Sequence, residues 1–276
     1  MPYPAVSPLP RLKSAEDARF QSVQALASRA ERDRTGRFFV EGLRFVAQAA
    51  AHHAVESVLV VPKTLDHPFG LKLRRQLESQ GVPVWEITPA LFLRLSRAEE
   101  PQWIGAVARQ GWERLDRAAS SPGLCWVALD AVRSPGNLGT ILRTGEAIGA
   151  SGLLLIGEAV DPYDPACVRA TMGAIFGQRF VRTTPREFAA WKHSGGCRLV
   201  GTSPHAKQDY REEAYPPGTV LFMGGERKGM SPEMQGLCDA NVRIPMVGSG
   251  DSLNLAVATA VLLYEVFGQR RRLGVE

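Results

Sequence analysis

Residues 124–157, LCWVALDAVRSPGNLGTILRTGEAIGASGLLLIG, decide the fold. The apolar run 124–129 is too short for a helix and stops at Asp130, which reads as a buried strand. Ser134-Pro135-Gly136-Asn137 is a turn: proline fixes φ, glycine permits positive φ, and Asn137 is placed to cap the next helix. Residues 138–150 read as that helix, with Leu138, Ile141, Leu142 and Ile148 on its apolar side, ended by Gly149 and Gly152. Residues 153–156 form a second buried strand. Strand, glycine-bearing turn, helix and strand make a βαβ unit, so a parallel sheet is predicted, with a site beyond the carboxyl ends of its strands.

Two segments of similar character lie nearer the C-terminus. Val220-Leu221-Phe222-Met223 runs into Gly224-Gly225-Glu226-Arg227-Lys228-Gly229-Met230-Ser231, a strand followed by a glycine loop carrying a glutamate. Ile244-Pro245-Met246 leads through Gly248-Ser249-Gly250-Asp251 to Ser252-Leu253-Asn254-Leu255-Ala256-Val257-Ala258. With Pro135-Gly136-Asn137-Leu138-Gly139 and Arg143-Thr144, these segments resemble, in order, the three signature motifs of the SpoU (TrmH-like) RNA ribose 2'-O-methyltransferases, a branch of the SPOUT knotted methyltransferases. The resemblance covers residues 124–267.

It implies an α/β fold: a C-terminal parallel-sheet domain over residues 124–276, tied in a trefoil knot, with a smaller N-terminal α/β substrate-binding domain. Sequence physics alone would not predict a knot, since knotted chains are rare. It also implies S-adenosyl-L-methionine as cofactor, held by Thr202, Ser203, Gly224, Gly225, Ile244 and Leu253, and a homodimer packed through the C-terminal domain. The family assigns Arg143 to catalysis, commonly as the base that activates the 2'-hydroxyl. A guanidinium with a pKa above about 12 is effectively never neutral, so gripping a phosphate and stabilising developing alkoxide charge is the easier physical role. Asn137 and Glu226 are expected to orient Arg143, and Ser252 and Asn254 to bind ribose, phosphate or cofactor. Each has a bland alternative: Asn137 as helix cap, Glu226 as loop acceptor, Ser252 as N-cap. Three residues depart from the family pattern: Ala256 and Ser134 stand where serine and aspartate are common, and Gly225 where a polar residue is common.

The 276 residues with 45% apolar content suffice for a substantial core in one or two domains. No apolar run approaches the roughly 20 residues that span a bilayer, and the start MPYPAVSPLPRLKS has no apolar segment of a signal peptide. Cys125, Cys167, Cys197 and Cys238 are widely separated, without zinc spacing, so no metal is expected and the thiols read as reduced in a cytoplasmic protein. A formal charge of +5 permits an RNA partner. The excess lies mainly in the first 120 residues, which hold 17 Lys and Arg against 13 Asp and Glu; the rest hold 16 against 15.

Residues 1–13 carry four prolines and read as a loose leader. A helix is predicted from a Ser14 cap to about residue 30, followed by a mixed-charge loop with Arg29, Arg32, Arg34 and Arg37. These arginines are candidates for RNA contact, with plain solvation as the alternative. The string Arg37-Phe38-Phe39-Val40-Glu41-Gly42-Leu43-Arg44-Phe45-Val46 resembles the start of the family's substrate-binding domain, a small α/β sandwich related to certain ribosomal proteins. Glu41 reads as a cap or fold residue. Strands at 58–61, 82–85 and 104–108 alternate with helices at 43–51, 71–80 and 89–95, completing a domain at 14–110. Residues 111–123 (GWERLDRAASSPG) lack periodicity and read as a linker. Farther on, a helix is predicted at 166–176, where Arg169 either faces substrate or sits on a plain helix surface. A helix at 185–193 and a strand at 198–202 come next, and the last helix, at 253–269, is apolar nearly all round and hence buried. Arg270, Arg271 and Arg272 at its end are accounted for by the helix dipole.

The predicted activity is methylation of a ribose 2'-hydroxyl in RNA, ribosomal RNA favoured over transfer RNA because of the extra domain. A non-catalytic RNA-binding assembly factor of the same fold is one alternative, disfavoured by the presence of Arg143 and Asn137. A dinucleotide-dependent oxidoreductase is another, disfavoured because the first βα turn lacks GxGxxG spacing.

Overall fold

The computed structural model describes residues 9–118, 123–195, 197–272 and 274. Parts of the expected leader (1–8) and linker (119–122) therefore lie outside the described residues. The chain forms two compact units, Met1–Gln110 and Gly111–Glu276.

The first unit begins with helices α1 (Ala18–Ala25) and α2 (Arg29–Thr35), where a single helix from Ser14 is predicted. Asp17, not Ser14, is the cap: its carboxylate accepts from the Arg19 amide at 2.9 Å. The second helix starts afresh after Ser28, whose backbone is extended, and ends at Gly36 with φ of 66°. Arg32 is buried, and its Nη1 donates to the carbonyls of Leu26 at 2.9 Å and Ala27 at 3.0 Å, groups the end of α1 leaves open. It belongs to the fold and not to an RNA-facing surface. Strand β1 (Arg37–Glu41), helix α3 (Leu43–Ala51), strand β2 (Val55–Val60), helix α4 (Pro68–Ser79), strand β3 (Val84–Glu86), helix α5 (Pro89–Leu95) and strand β4 (Ile104–Arg109) complete the unit. The sheet order is β1-β4-β2-β3, with β4 antiparallel to both neighbours and β2 parallel to β3. Phe20, Val23, Leu26, Leu59, Leu91, Phe92 and Val107 form a core in which α1 and α5 meet the sheet.

Glu41 accepts from Ser96 Oγ at 2.9 Å and from the amide of Gln102 at 3.0 Å, so it is a fold residue that pins the segment before β4. The leader is less loose than predicted: Leu12 is buried, and its amide donates to the Glu86 carbonyl at 2.9 Å.

The second unit opens with strand β5 (Trp112–Glu113), inside the predicted linker. It pairs in parallel with a later strand because Trp112 meets Tyr163 and Phe180 edge-on, with centroids 5.5 and 6.0 Å away. The Tyr163 hydroxyl accepts from the Gly111 amide at 2.7 Å and donates to its carbonyl at 3.1 Å. Then come β6 (Trp126–Asp130), α6 (Pro135–Ala147), β7 (Gly152–Ile156), α7 (Pro165–Ala170), β8 (Phe180–Thr183), α8 (Pro185–His193), β9 (Arg198–Thr202), β10 (Gln208–Asp209), β11 (Thr219–Met223), α9 (Pro232–Leu237), β12 (Ala240–Arg243) and α10 (Leu255–Arg272). The eight strands lie in the order β10-β12-β9-β11-β6-β7-β8-β5, every pair parallel. Both faces of the central strands are buried, which is why their sequences are apolar runs and not alternations.

Two predicted helices change. The helix expected at 166–176 stops at Ala170, because Met172 and Gly173 take positive φ (53° and 99°) before a short 3-10 turn. The last helix is not buried all round: Val257 is 50% and Tyr264 54% exposed. Arg270 is buried and its Nε donates to the Tyr215 carbonyl at 3.2 Å, so its place is in the core and not merely at a dipole. The thiols of Cys125 and Cys167 are also buried, and burial pushes that of Cys125 up to about 12.

Candidate active site

A cleft of about 550 Å³ opens where β9, β11 and β12 end. Its walls bring together ten of the residues singled out in the sequence: Asn137, Thr202, Ser203, Gly224, Gly225, Glu226, Ile244, Ser252, Leu253 and Asn254. They come from segments separated by as many as 117 positions. His205, Met223, Met246 and Asp251 also line it and were missed. Met223 was within reach as the last residue of a strand feeding a glycine loop, whereas His205 sits in a polar turn that carries no periodic signal.

Asn137 does not cap its helix. Ser134 does, its hydroxyl accepting from the Asn137 amide at 3.2 Å. With Pro135 at the start of α6, Asn137 falls in the first turn and its side chain is free to reach the cleft. Its Nδ2 donates to Glu226 Oε1 at 2.5 Å. Asn254 Nδ2 in turn donates to Asn137 Oδ1 at 3.0 Å, while Asn254 Oδ1 accepts from the amides of Ala256 and Val257 at 2.9 and 3.3 Å. Asn254, not Ser252, thus caps α10.

The chain of bonds has one consistent direction. The α10 amides can only donate, so Asn254 must present oxygen to them and nitrogen to Asn137. Asn137 must then present oxygen to Asn254 and nitrogen to the carboxylate. The positive end of an 18-residue helix is relayed through two amides to Glu226.

The loop holding Glu226 is closed by a pair of backbone bonds between Gly225 and Gly229, at 3.1 and 2.9 Å. A Cβ on Gly225 would stand 3.3 Å from the Asp130 carbonyl, a tight contact that a few tenths of an ångström of movement would relieve. A Cβ on Gly224 would stand 2.4 Å from the Met230 amide nitrogen and 2.5 Å from the Gly229 carbonyl carbon, both backbone atoms. Gly224→Ala is therefore expected to force the loop open and abolish stabilisation by S-adenosylhomocysteine in a thermal-shift titration. An undiminished shift would show that the loop tolerates the displacement.

Arg143 stands apart. It is exposed on α6 and, among the described residues, makes no ion pair or side-chain hydrogen bond. Asn137 and Glu226 bind each other and do not orient it. The reason is helical geometry: six residues carry Arg143 about 9 Å along the axis and about 240° around it from Asn137. Arg169 is exposed at the end of α7. The two helices are brought into contact by Gly139, where a Cβ would lie 2.4 Å from that of Ala170. In the first unit Arg29 faces Asp33 at 3.6 Å, Arg34 faces Glu31 at 2.6 Å and Arg37 faces Glu56 at 2.5 Å.

Residues 125–264 match the SpoU rRNA Methylase family, and residues 17–106 match the MRM3-like substrate binding domain. The chain is 34% identical to a 23S rRNA (uridine(2479)-2'-O)-methyltransferase of Streptomyces viridochromogenes, over 96% of this chain and 94% of that one. It is 27% identical to a 23S rRNA (guanosine(2553)-2'-O)-methyltransferase of Bacillus subtilis, covering 94% and 99%. The crystal structure of an AdoMet-bound rRNA methyltransferase from Sinorhizobium meliloti superposes with a TM-score of 0.85 at 33% identity, covering 96% of this chain and 98% of that one.

Proposed function

Because this chain belongs to the SpoU rRNA methylase family, we propose that it methylates a ribose 2'-hydroxyl of ribosomal RNA using S-adenosyl-L-methionine. The observation that carries this reading is the joining of Asn137, Glu226 and Asn254, one from each of three distant segments, at the mouth of a single cleft. The cleft's volume falls within the usual range for small-molecule sites. Ile244, Leu253 and Leu262 offer apolar walls, and Gly224 and Gly225 expose backbone to a ligand's polar groups. These residues fit the cofactor.

When bound, S-adenosyl-L-methionine supplies a sulfonium methyl whose departure needs no acid, since the leaving group is a neutral thioether. The chain's own task is alignment and management of the hydroxyl proton. Arg143, held by no protein anion among the described residues, is available to grip the phosphate beside the target ribose and to stabilise charge growing on the oxygen. Arg169 is a second contact on the adjoining helix. Arg29, Arg34 and Arg37 can exchange their carboxylate partners for phosphates at little cost, because exposed ion pairs are weak and screened by salt. Ser252 stays assigned to ribose or cofactor.

The exposed apolar side chains Leu253, Val257 and Tyr264, at the start of α10 and along it, support a homodimer formed through this unit. The family relationship supports a knotted path for the segments around the cleft, and the RNA substrate a cytoplasmic place of work.

Transfer of labelled methyl from S-adenosylmethionine to unmodified ribosomal and transfer RNA, followed by alkaline hydrolysis, tests the reading. Label in an alkali-resistant dinucleotide from ribosomal RNA is expected. Label in single nucleotides would mean a base acceptor, label from transfer RNA alone would move the substrate, and no label despite cofactor binding would favour an assembly factor.

A further inference from the structure

The β2–α4 connection of the first unit carries a surface that the fold does not explain. Lys63 follows β2 with φ of 69°, a conformation costly for a side-chain-bearing residue, and Trp103, whose carbonyl accepts from the Val61 amide at 2.9 Å, has φ of 57°. Two strained residues therefore lie in the segments that follow β2 and precede β4. There Phe69 is 51% exposed. Its ring lies nearly parallel to that of His67, 7° between planes and 6.4 Å between centroids. The exposed His67 ring is fixed by Nδ1, which accepts from the Gly70 amide at 3.2 Å.

Gly70 holds the assembly together. A Cβ there would be 2.6 Å from the Leu65 carbonyl oxygen, so the loop bearing Lys63 folds directly onto the start of α4. Lys72 lies one turn beyond Phe69 on the same helix side. Lys63 and Lys72 are exposed and make no ion pair among the described residues, and they outnumber the exposed Asp66.

From this geometry we infer that His67 and Phe69 form a stacking platform for an unpaired base of the RNA substrate, with Lys63 and Lys72 on the flanking phosphates. An exposed aromatic pair with lysines nearby in the chain suits a splayed-out nucleotide, whose base presents a π-face whatever its identity. A duplex has no such free face. The inference rests on the RNA-substrate reading above, and it assigns the platform to holding the RNA and not to methyl transfer itself.

The test uses the full chain and an unmodified large-subunit ribosomal RNA transcript. Phe69→Ala is expected to weaken binding about tenfold or more, with Phe69→Trp restoring it and S-adenosylhomocysteine binding unchanged in both. Replacing Lys63 and Lys72 together by alanine is expected to lower the slope of log affinity against log salt by about 1.4. An affinity for Phe69→Ala within twofold of the parent overturns the platform while leaving the methyltransferase reading intact. Loss seen with ribosomal particles but not with naked transcript also overturns it, assigning the surface to a ribosomal protein. Failure of the parent chain to bind the transcript overturns the platform, while the methyltransferase reading stands or falls on the labelled-methyl experiment above.

Discussion

Asn254→Asp should leave the protein folded and remove most of its activity. The aspartate keeps the acceptor that Asn254 Oδ1 offers to the Ala256 and Val257 amides, and a carboxylate at a helix N-terminus is favourable. It has no hydrogen to give Asn137 Oδ1, the acceptor of the 3.0 Å bond. If Asn137 keeps its orientation, two oxygens face each other. If its amide turns over, its oxygen faces the Glu226 carboxylate instead of donating to it at 2.5 Å. Either way a like-with-like contact is forced between the segments that frame the cleft. Losing a hydrogen bond to a charged group costs about 1.5–3 kcal/mol, and a misplaced preorganised group costs about 10²–10³ in rate. A fall in kcat/KM of about 10² or more is expected, with the protein still cooperatively folded because the helix cap is kept. Asn254→Ala should lose similar activity and also about 1 kcal/mol of stability with the cap. Full activity in Asn254→Asp would sink the relay.

Arg143→Lys separates the two roles proposed for this residue. If Arg143 were the base, lysine, with a pKa of about 10.4 against more than 12, would be the better one. Activity would then persist and rise with pH through 10. If Arg143 instead grips a phosphate with a planar fork, lysine keeps the charge and loses the paired donors. The expected outcome is a drop of about 10- to 100-fold in kcat/KM, with no lysine-linked rise in the pH–rate profile between 7 and 10. Cofactor affinity should be unaffected, since Arg143 does not line the cleft.

Much of the second unit was legible because its strands are continuous apolar runs bounded by turn residues. The predicted strand at 198–202 and helix at 185–193 agree with β9 and α8 in their bounds, the latter because Thr184, Pro185 and Glu187 spell a capping box. The site residues were legible through the resemblance of three glycine- and amide-bearing segments to the SpoU signature motifs, since glycine and asparagine after a strand otherwise mark only a turn.

Elements without periodicity were not legible. A two-residue strand such as Trp112–Glu113 is created by its ring contacts with Tyr163 and Phe180, which come from distant sequence. The split of the first helix and the burial of Arg32 arise from carbonyls that exist only once α1 has ended. Local pattern fixes hydrophobic faces, turns and caps, because these depend on neighbours within a few residues. It cannot say that Asn254 rather than Ser252 would cap the last helix, or that Asn137 would bond Glu226 and leave Arg143 unheld. Those outcomes depend on which side chain points where after distant strands have aligned, and the tertiary structure alone sets that.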